Sequence, residues 1–373
     1  MSARRIARSI LILILPTLFA GCSAVAPSAP APAPTPTPVP STPPPPPAPR
    51  FAFVTNVFSN NASTYAVDPA TGQLTPKDTV PTGGRGSRVI AIGPSGRFAY
   101  IANIVSNDIS VFAIDSSNGS LSMVGSPVAA GSSPTSIVIG PSGNLLYVVN
   151  QNDDHITGFS IDPNTGALTP LSGFVPTDDV PAALTFHPSG QFAYVVNANS
   201  SDITVYRVDN SGALGLLGAV PARTTPASIT MHPSGKTAYV ANFGSNDITT
   251  FSVDSTTGAL RPLGAGVESP GGPTSVTVDS QGRFAYVTDT TAGNVSVFAI
   301  DAATGALTPV STALAGTNPV TLSLDPSGRF AYVANFGSDN VTTFTVDSTT
   351  GALTSAGPAV TAGTGPVWVA FIK

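Results

Sequence analysis

The sequence predicts an all-β chain folded as a seven-bladed β-propeller, and three regularities in its spelling carry that prediction. The phrase GRFAYVANFGS at 328–338 recurs as GRFAYIANIVS, GQFAYVVNANS and GKTAYVANFGS. The glycines opening the copies (Gly96, Gly143, Gly190, Gly235, Gly282, Gly328) stand 47, 47, 45, 47 and 46 residues apart. A second marker, DPATGQL and its variants, begins at Asp68, Asp115, Asp162, Asp209, Asp254, Asp301 and Asp347. A third, typified by PTSIVIGPSG from Pro134, closes each unit, and its last copy, PVWVAFIK, ends the sequence. Residues 50–373 thus divide into seven units of about 46 residues, a period at which four short strands per unit build a propeller blade.

Each unit reads as four antiparallel strands. TSIVI and FAYVAN are β-branched and aromatic, ITTFSV alternates apolar with polar residues, and ALTPL follows a turn. Between the first two strands, PSG combines a proline with fixed φ and a glycine able to take positive φ, as a tight hairpin needs. TTG does the same between the third and fourth. The copies are out of phase with the chain ends. The repeats open on a second strand (RFAFVTN from Arg50) and finish on a first strand, so one C-terminal strand and three N-terminal strands are expected to share a blade. That arrangement closes the ring without a free sheet edge.

Before the repeats lie two segments that cannot join a core. Arg4, Arg5 and Arg8 precede the apolar run Ile10–Leu15, which is too short to span a bilayer and reads as a secretory signal over 1–21. LFAGC at 18–22 resembles a bacterial lipobox, with Phe19 where leucine is usual. The resemblance implies cleavage before Cys22, lipidation of that cysteine, and an exported, membrane-anchored protein of the cell envelope. Ser23 leans toward the outer membrane in a Gram-negative cell. From 22 to 49 the chain is mostly Ala, Pro, Ser and Thr, an extended spacer that at about 3.1 Å per residue reaches about 75–80 Å. The propeller is assigned to 50–373.

Composition narrows the function classes. Cys22 is the sole cysteine, so the repeats hold no disulfide. Without the leader's three arginines, twelve basic residues face twenty acidic ones. No Lys/Arg run occurs, and nucleic acid is not an expected partner.

YVAN, YVVN and FVTN followed by VSVFAID, TGAL and PSGR resemble the YVTN-type seven-bladed propellers of the lactonase family, which includes 6-phosphogluconolactonases. The likeness covers 50–373. It implies a histidine one or two places after the Pro that begins an innermost strand, a glutamate directly after the repeated Asn, and arginines around the channel mouth. The first of those places holds Arg88, Thr135, Ala182, Ala227, Thr274, Val320 and Val367. The second holds Val89, Ser136, Ala183, Ser228, Ser275, Thr321 and Trp368. No histidine stands in either set, and no glutamate follows the Asn. Arg88 alone matches and is the one catalytic candidate.

The repeats provide an internal control, because a residue that matches its equivalents in other blades serves structure. His187 and His232 precede PSG where other units have Gly or Asp, and His155 stands where others place Asn or Asp. All three read as turn residues. The repeated Asn reads as a strand-end hydrogen bonder, and Trp368 as channel filling. The unmatched charges are Arg85, Asp153, Asp154, Asp178, Asp179, Arg223 and Glu268, the sole glutamate. With Arg88 they form a candidate binding set in the channel-mouth loops. No ligand spacing for a metal appears, and no cofactor is expected. The reading favoured by the sequence is an anchored lipoprotein that presents the propeller as a binding module for a protein or carbohydrate. The alternative is a lactone hydrolase resembling 6-phosphogluconolactonase and acting on an unphosphorylated sugar lactone.

Overall fold

Residues 51–372 are described by the computed structural model; the leader, Cys22 and the 22–49 spacer lie outside the described residues. Seven antiparallel sheets are ordered around a central channel, each with its innermost strand beside it. Those strands are Pro366–Ile372 in blade 1, then Ser87–Ile92, Pro134–Ile139, Pro181–Phe186, Pro226–Met231, Pro273–Val278 and Pro319–Leu324 in blades 2 to 7. Blade 1 is the shared one. Pro366–Ile372 pairs with Phe51–Asn56, which continues into Asn61–Val67 and Leu74–Pro81, with Phe51 opposite Ile372 and Asn56 opposite Pro366.

The repeated phrase is the second strand of each blade. Its seven copies, from Phe51–Asn56 to Phe330–Asn335, are buried along their whole length. Both faces of such a strand meet a neighbouring blade, which is why it reads as a continuous apolar run. The aromatic residues of the phrase pack against their own strand's Arg and against the next blade. Arg97, Arg283 and Arg329 lie 5.0–5.4 Å from the ring centre of the following Phe. The Phe fits against the turn glycine of the next blade: a Cβ at Gly258 would overlap the Phe192 ring, and one at Gly72 the Phe330 ring. The Tyr hydroxyl donates to that glycine's carbonyl, Tyr194 to Gly258 at 3.0 Å, Tyr239 to Gly305 at 3.0 Å and Tyr332 to Gly72 at 2.7 Å.

The Asp of the TTG turn explains itself as well. Asp68 Oδ1 accepts the backbone N–H groups of Ala70 and Thr71, both at 2.8 Å, and the other six copies cap their turns in the same way. All seven carboxyls lie below the usual aspartate value, Asp115, Asp209 and Asp301 chiefly through the hydroxyls of Ser117, Ser211 and Thr304 and the other four chiefly through these backbone bonds. The outer strand departs from the simple four-strand pattern in blades 2, 5 and 7. There it is broken in two, as in Leu121–Met123 and Val128–Ala129, with both pieces on the third strand. In the other four blades it stays continuous but bulges. Breaks and bulges twist an exposed edge away from further pairing.

Candidate functional site

Every innermost strand begins with the same irregularity. The pairing with its neighbour slips at the second residue, as between Ser87 and Val89 or between Pro319 and Thr321. A one-residue bulge of this kind re-aims a side chain. Seven bulges therefore place Arg88, Thr135, Ala182, Ala227, Thr274, Val320 and Val367 as a ring at one mouth of a central channel of about 1150 Å³. The next residue of each strand forms a second ring that includes Ser136, Ser228, Ser275, Thr321 and Trp368.

Several of these hydroxyls already have work. Innermost strands do not share a backbone ladder with one another, so their carbonyls need donors from elsewhere. Thr135 donates to Pro181 O at 3.3 Å, Thr274 to Val320 O at 3.0 Å and Thr321 to Val367 O at 2.6 Å, each reaching the following blade. Thr55 supplies the Arg88 carbonyl at 2.6 Å.

Among the described residues Arg88 is the only ionisable side chain lining this mouth of the channel. The other titratable residue of the lining, Asp325, follows the far end of an innermost strand and accepts bonds from Ser327 and from Phe330 N–H at 3.0 Å. The Arg88 guanidinium is half-buried and has no hydrogen-bond or ion-pair partner among the described residues. Desolvation pulls its pKa below the ordinary arginine value, yet a guanidinium stays charged at neutral pH. An unpaired cation partly withdrawn from water is costly unless an electron-rich ligand completes it.

The rest of the candidate set lies in rim loops or, for Glu268, on an outer strand, away from the channel lining. Arg223 pairs with Asp247 at 2.5 Å. Asp153 accepts Ser132 N–H at 2.5 Å, and Asp154 accepts Val180 N–H at 2.9 Å. Asp179 takes a short bond from the Asn199 amide, and Asp178 receives Thr204 Oγ1 at 3.4 Å. Arg85 is exposed and binds the Ser106 hydroxyl through its backbone N–H. Glu268 sits on the outer strand Val267–Glu268, opposite Asp247. Asp178 and Arg223 occupy a place where Gly84, Gly131, Gly316 and Gly363 pack on the repeated Asn, so blades 4 and 5 differ from the others here. Among the described residues no group of three or more His, Cys, Asp or Glu is placed to hold a metal ion. The histidines serve structure: His187 Nε2 meets Gly235 O at 3.0 Å and His232 Nε2 meets Gly282 O at 2.9 Å, each joining two blades. His155 stacks on Phe174.

Sequence reasoning missed the aromatic rim. Phe58 and Phe243, 62% and 42% exposed, and the half-buried Phe336 stand in the turns between second and third strands, on the Arg88 side of the ring. Phe58 and Phe336 touch at 5.2 Å between centroids. The signal was present at the place after the repeated Asn, where Phe243 and Phe336 stand.

Fold and channel together define a lactonase-type propeller. The family model "Lactonase, 7-bladed beta-propeller" matches residues 46–180, 171–278 and 271–371, and the chain belongs to that family. Among solved structures, a putative 6-phosphogluconolactonase from Bacteroides uniformis is 18% identical with a TM-score of 0.78, covering 86% of this chain and 99% of its own. A second, from Bacteroides fragilis, is 20% identical with a TM-score of 0.77, covering 87% and 98%. The periplasmic gluconolactonase of Pseudomonas aeruginosa is also 20% identical with a TM-score of 0.77, covering 87% and 99%. At these identities the likeness shows the fold. No curated protein sequence matches the chain.

Proposed function

We propose that this propeller is a lactone hydrolase whose channel mouth binds a cyclic ester. The observation that carries the proposal is the unpaired, desolvated Arg88 on a bulge facing the channel. Family membership supports this reading over the anchored binding module favoured by the sequence. Arg88 would hold the lactone carbonyl oxygen and stabilise the oxyanion that develops there. Hydroxide adds to the carbonyl carbon, the ring C–O bond breaks with its electron pair on the ring oxygen, that alkoxide takes the proton of the new carboxyl through solvent, and a hydroxy-carboxylate results. An unphosphorylated sugar lactone is the first substrate to assay.

Among the described residues no histidine lines the channel, and the one carboxylate that does, Asp325, is engaged at the far end. This observation favours a second reading, ligand binding without turnover. It also predicts the rate law of the first. With no base to titrate, kcat/KM should rise about tenfold per pH unit from 6 to 9, following hydroxide. Arg88→Ala should lower kcat by about 10²–10³. A plateau governed by a group titrating near neutrality, or turnover indifferent to Arg88, would refute the mechanism. Binding with no turnover at any pH would establish the second reading.

The proposed setting is the cell envelope, with Cys22 lipidated and the spacer holding the propeller off the membrane. Cys22→Ala should move the protein from the membrane to the soluble extracytoplasmic fraction. Continued membrane association would refute the anchor.

A further inference from the structure

The lining of the channel speaks to the kind of ligand as well as to its binding. Recognising a polyol takes several free donors and acceptors, carboxylates and amides above all, because each sugar hydroxyl buried without a partner costs binding energy. Among the described residues that line it, the Arg88 mouth has no carboxylate and one side-chain amide, Gln151. Three of its threonine hydroxyls are committed as donors: Thr135, Thr274 and Thr321 reach the carbonyls of neighbouring blades. Ser136 and Ser228 accept backbone N–H groups of the following blade at 3.4 and 3.5 Å, which leaves their hydroxyl hydrogens and the Ser275 hydroxyl as a short row of weak donors on one side of the second ring. Most of the remaining wall is apolar: Ala182, Ala227, Val320 and Val367 in the first ring, and Ala183 and Trp368 in the second. Above it, Phe243, Phe336 and Phe58 extend apolar surface onto the rim.

One cation beside an apolar wall matches one oxygen-rich head joined to an apolar body. Building on the lactone-binding reading, we infer that the channel selects amphiphilic ligands. These are lactones bearing an alkyl or aryl substituent, and the hydroxy-carboxylates they open to, in preference to polyhydroxylated sugar lactones. The head sits on Arg88 and the substituent lies along Trp368, Val320 and the aromatic rim. A phosphorylated sugar fits worst, since its two charges would meet a single guanidinium.

Trp368, the sole tryptophan, lines the channel and reports on its occupancy. The test titrates the purified propeller with octanoate, below its micellar concentration, and with gluconate, following Trp368 fluorescence. Octanoate should bind at least tenfold more tightly. Arg88→Gln should weaken octanoate at least tenfold, and Arg88→Lys, which keeps the charge, should weaken it less. Variants are compared only where circular dichroism matches the wild type; of the two, Lys is the milder change. Gluconate binding as well as octanoate, or octanoate binding that ignores Arg88, would overturn the inference. Hydrolysis is measured separately on δ-decalactone and gluconolactone. Faster turnover of gluconolactone sinks the inference and leaves the hydrolase reading standing. No turnover of either, with octanoate still held by Arg88, sinks the hydrolase reading and leaves the inference.

Discussion

The repeated Asn shows how one residue can organise a blade. Its amide bridges two side chains of the third strand: Asn56 reaches Asn61 at 2.8 Å and Ser63 at 3.0 Å, and Asn335 reaches Asn340 and Thr342, both at 2.8 Å. Blade 6 has Asp289 instead, buried and held by Ser269 at 2.6 Å and Ser296 at 2.5 Å. Burial raises its pKa, and the two hydroxyl bonds only partly oppose that. A carboxyl whose folded pKa lies above its unfolded one adds stability below the unfolded value and loses it as pH rises, so the ionised Asp289 is a cost at neutral pH. Asp289→Asn should therefore raise Tm at pH 7, on the order of 2 °C, and the gain should fade as pH falls toward 4. A thermal melt at both pH values checks this, and an equal shift at both would refute the assignment. The role of the Asn was legible from its recurrence. The cost of Asp289 was not, because it depends on how completely two neighbouring blades exclude water.

At the scale of elements, the second strand and the TTG turn form one device repeated around the ring. The strand presents its aromatic residues to the next blade, and the turn answers with a glycine that leaves room for the ring and, for Tyr147, Tyr194, Tyr239 and Tyr332, a carbonyl for the hydroxyl. Gly258 combines a φ of +75° with direct contact on Phe192, whereas Gly328, at φ +68°, faces open space. Gly328→Ala should cost about 1–2 kcal/mol, from backbone conformation alone. Gly258→Ala adds overpacking of about 1–3 kcal/mol and should be clearly the worse of the two in urea unfolding. Equal losses would remove the latch from the account. Strand order, turn chemistry and the shared blade were readable from spacing. The bulge at the second residue of each innermost strand was not, since nothing in PTS or PAS marks a slipped register, and the slip arises when the strand meets its partner.

For the whole molecule, closure is the organising constraint. Pro366–Ile372 completes blade 1 against Phe51–Asn56, so the two ends of a long chain hold each other in a sheet and no disulfide is needed. Deleting 366–373 would leave Phe51–Asn56 with an open edge and Val54 and Phe53 exposed on it. The expected outcome is loss of the single cooperative melt together with association on size-exclusion chromatography; a monomer melting like the wild type would refute closure as the source of stability. Taken alone, the sequence determined the number of blades, their strand order, the turn residues and the offset of the two ends, because these follow from local periodicity and from residues with restricted backbones. The tertiary structure decided which charges line the channel. Eight loop and strand charges stood out as unlike their repeats, and seven of them proved to lie in rim loops or on an outer strand, outside the channel lining. Arg88 differs because a bulge turns it into the channel, where no partner reaches it, and solvation and pairing of a charge are set by what the fold brings around it, not by its neighbours in the chain.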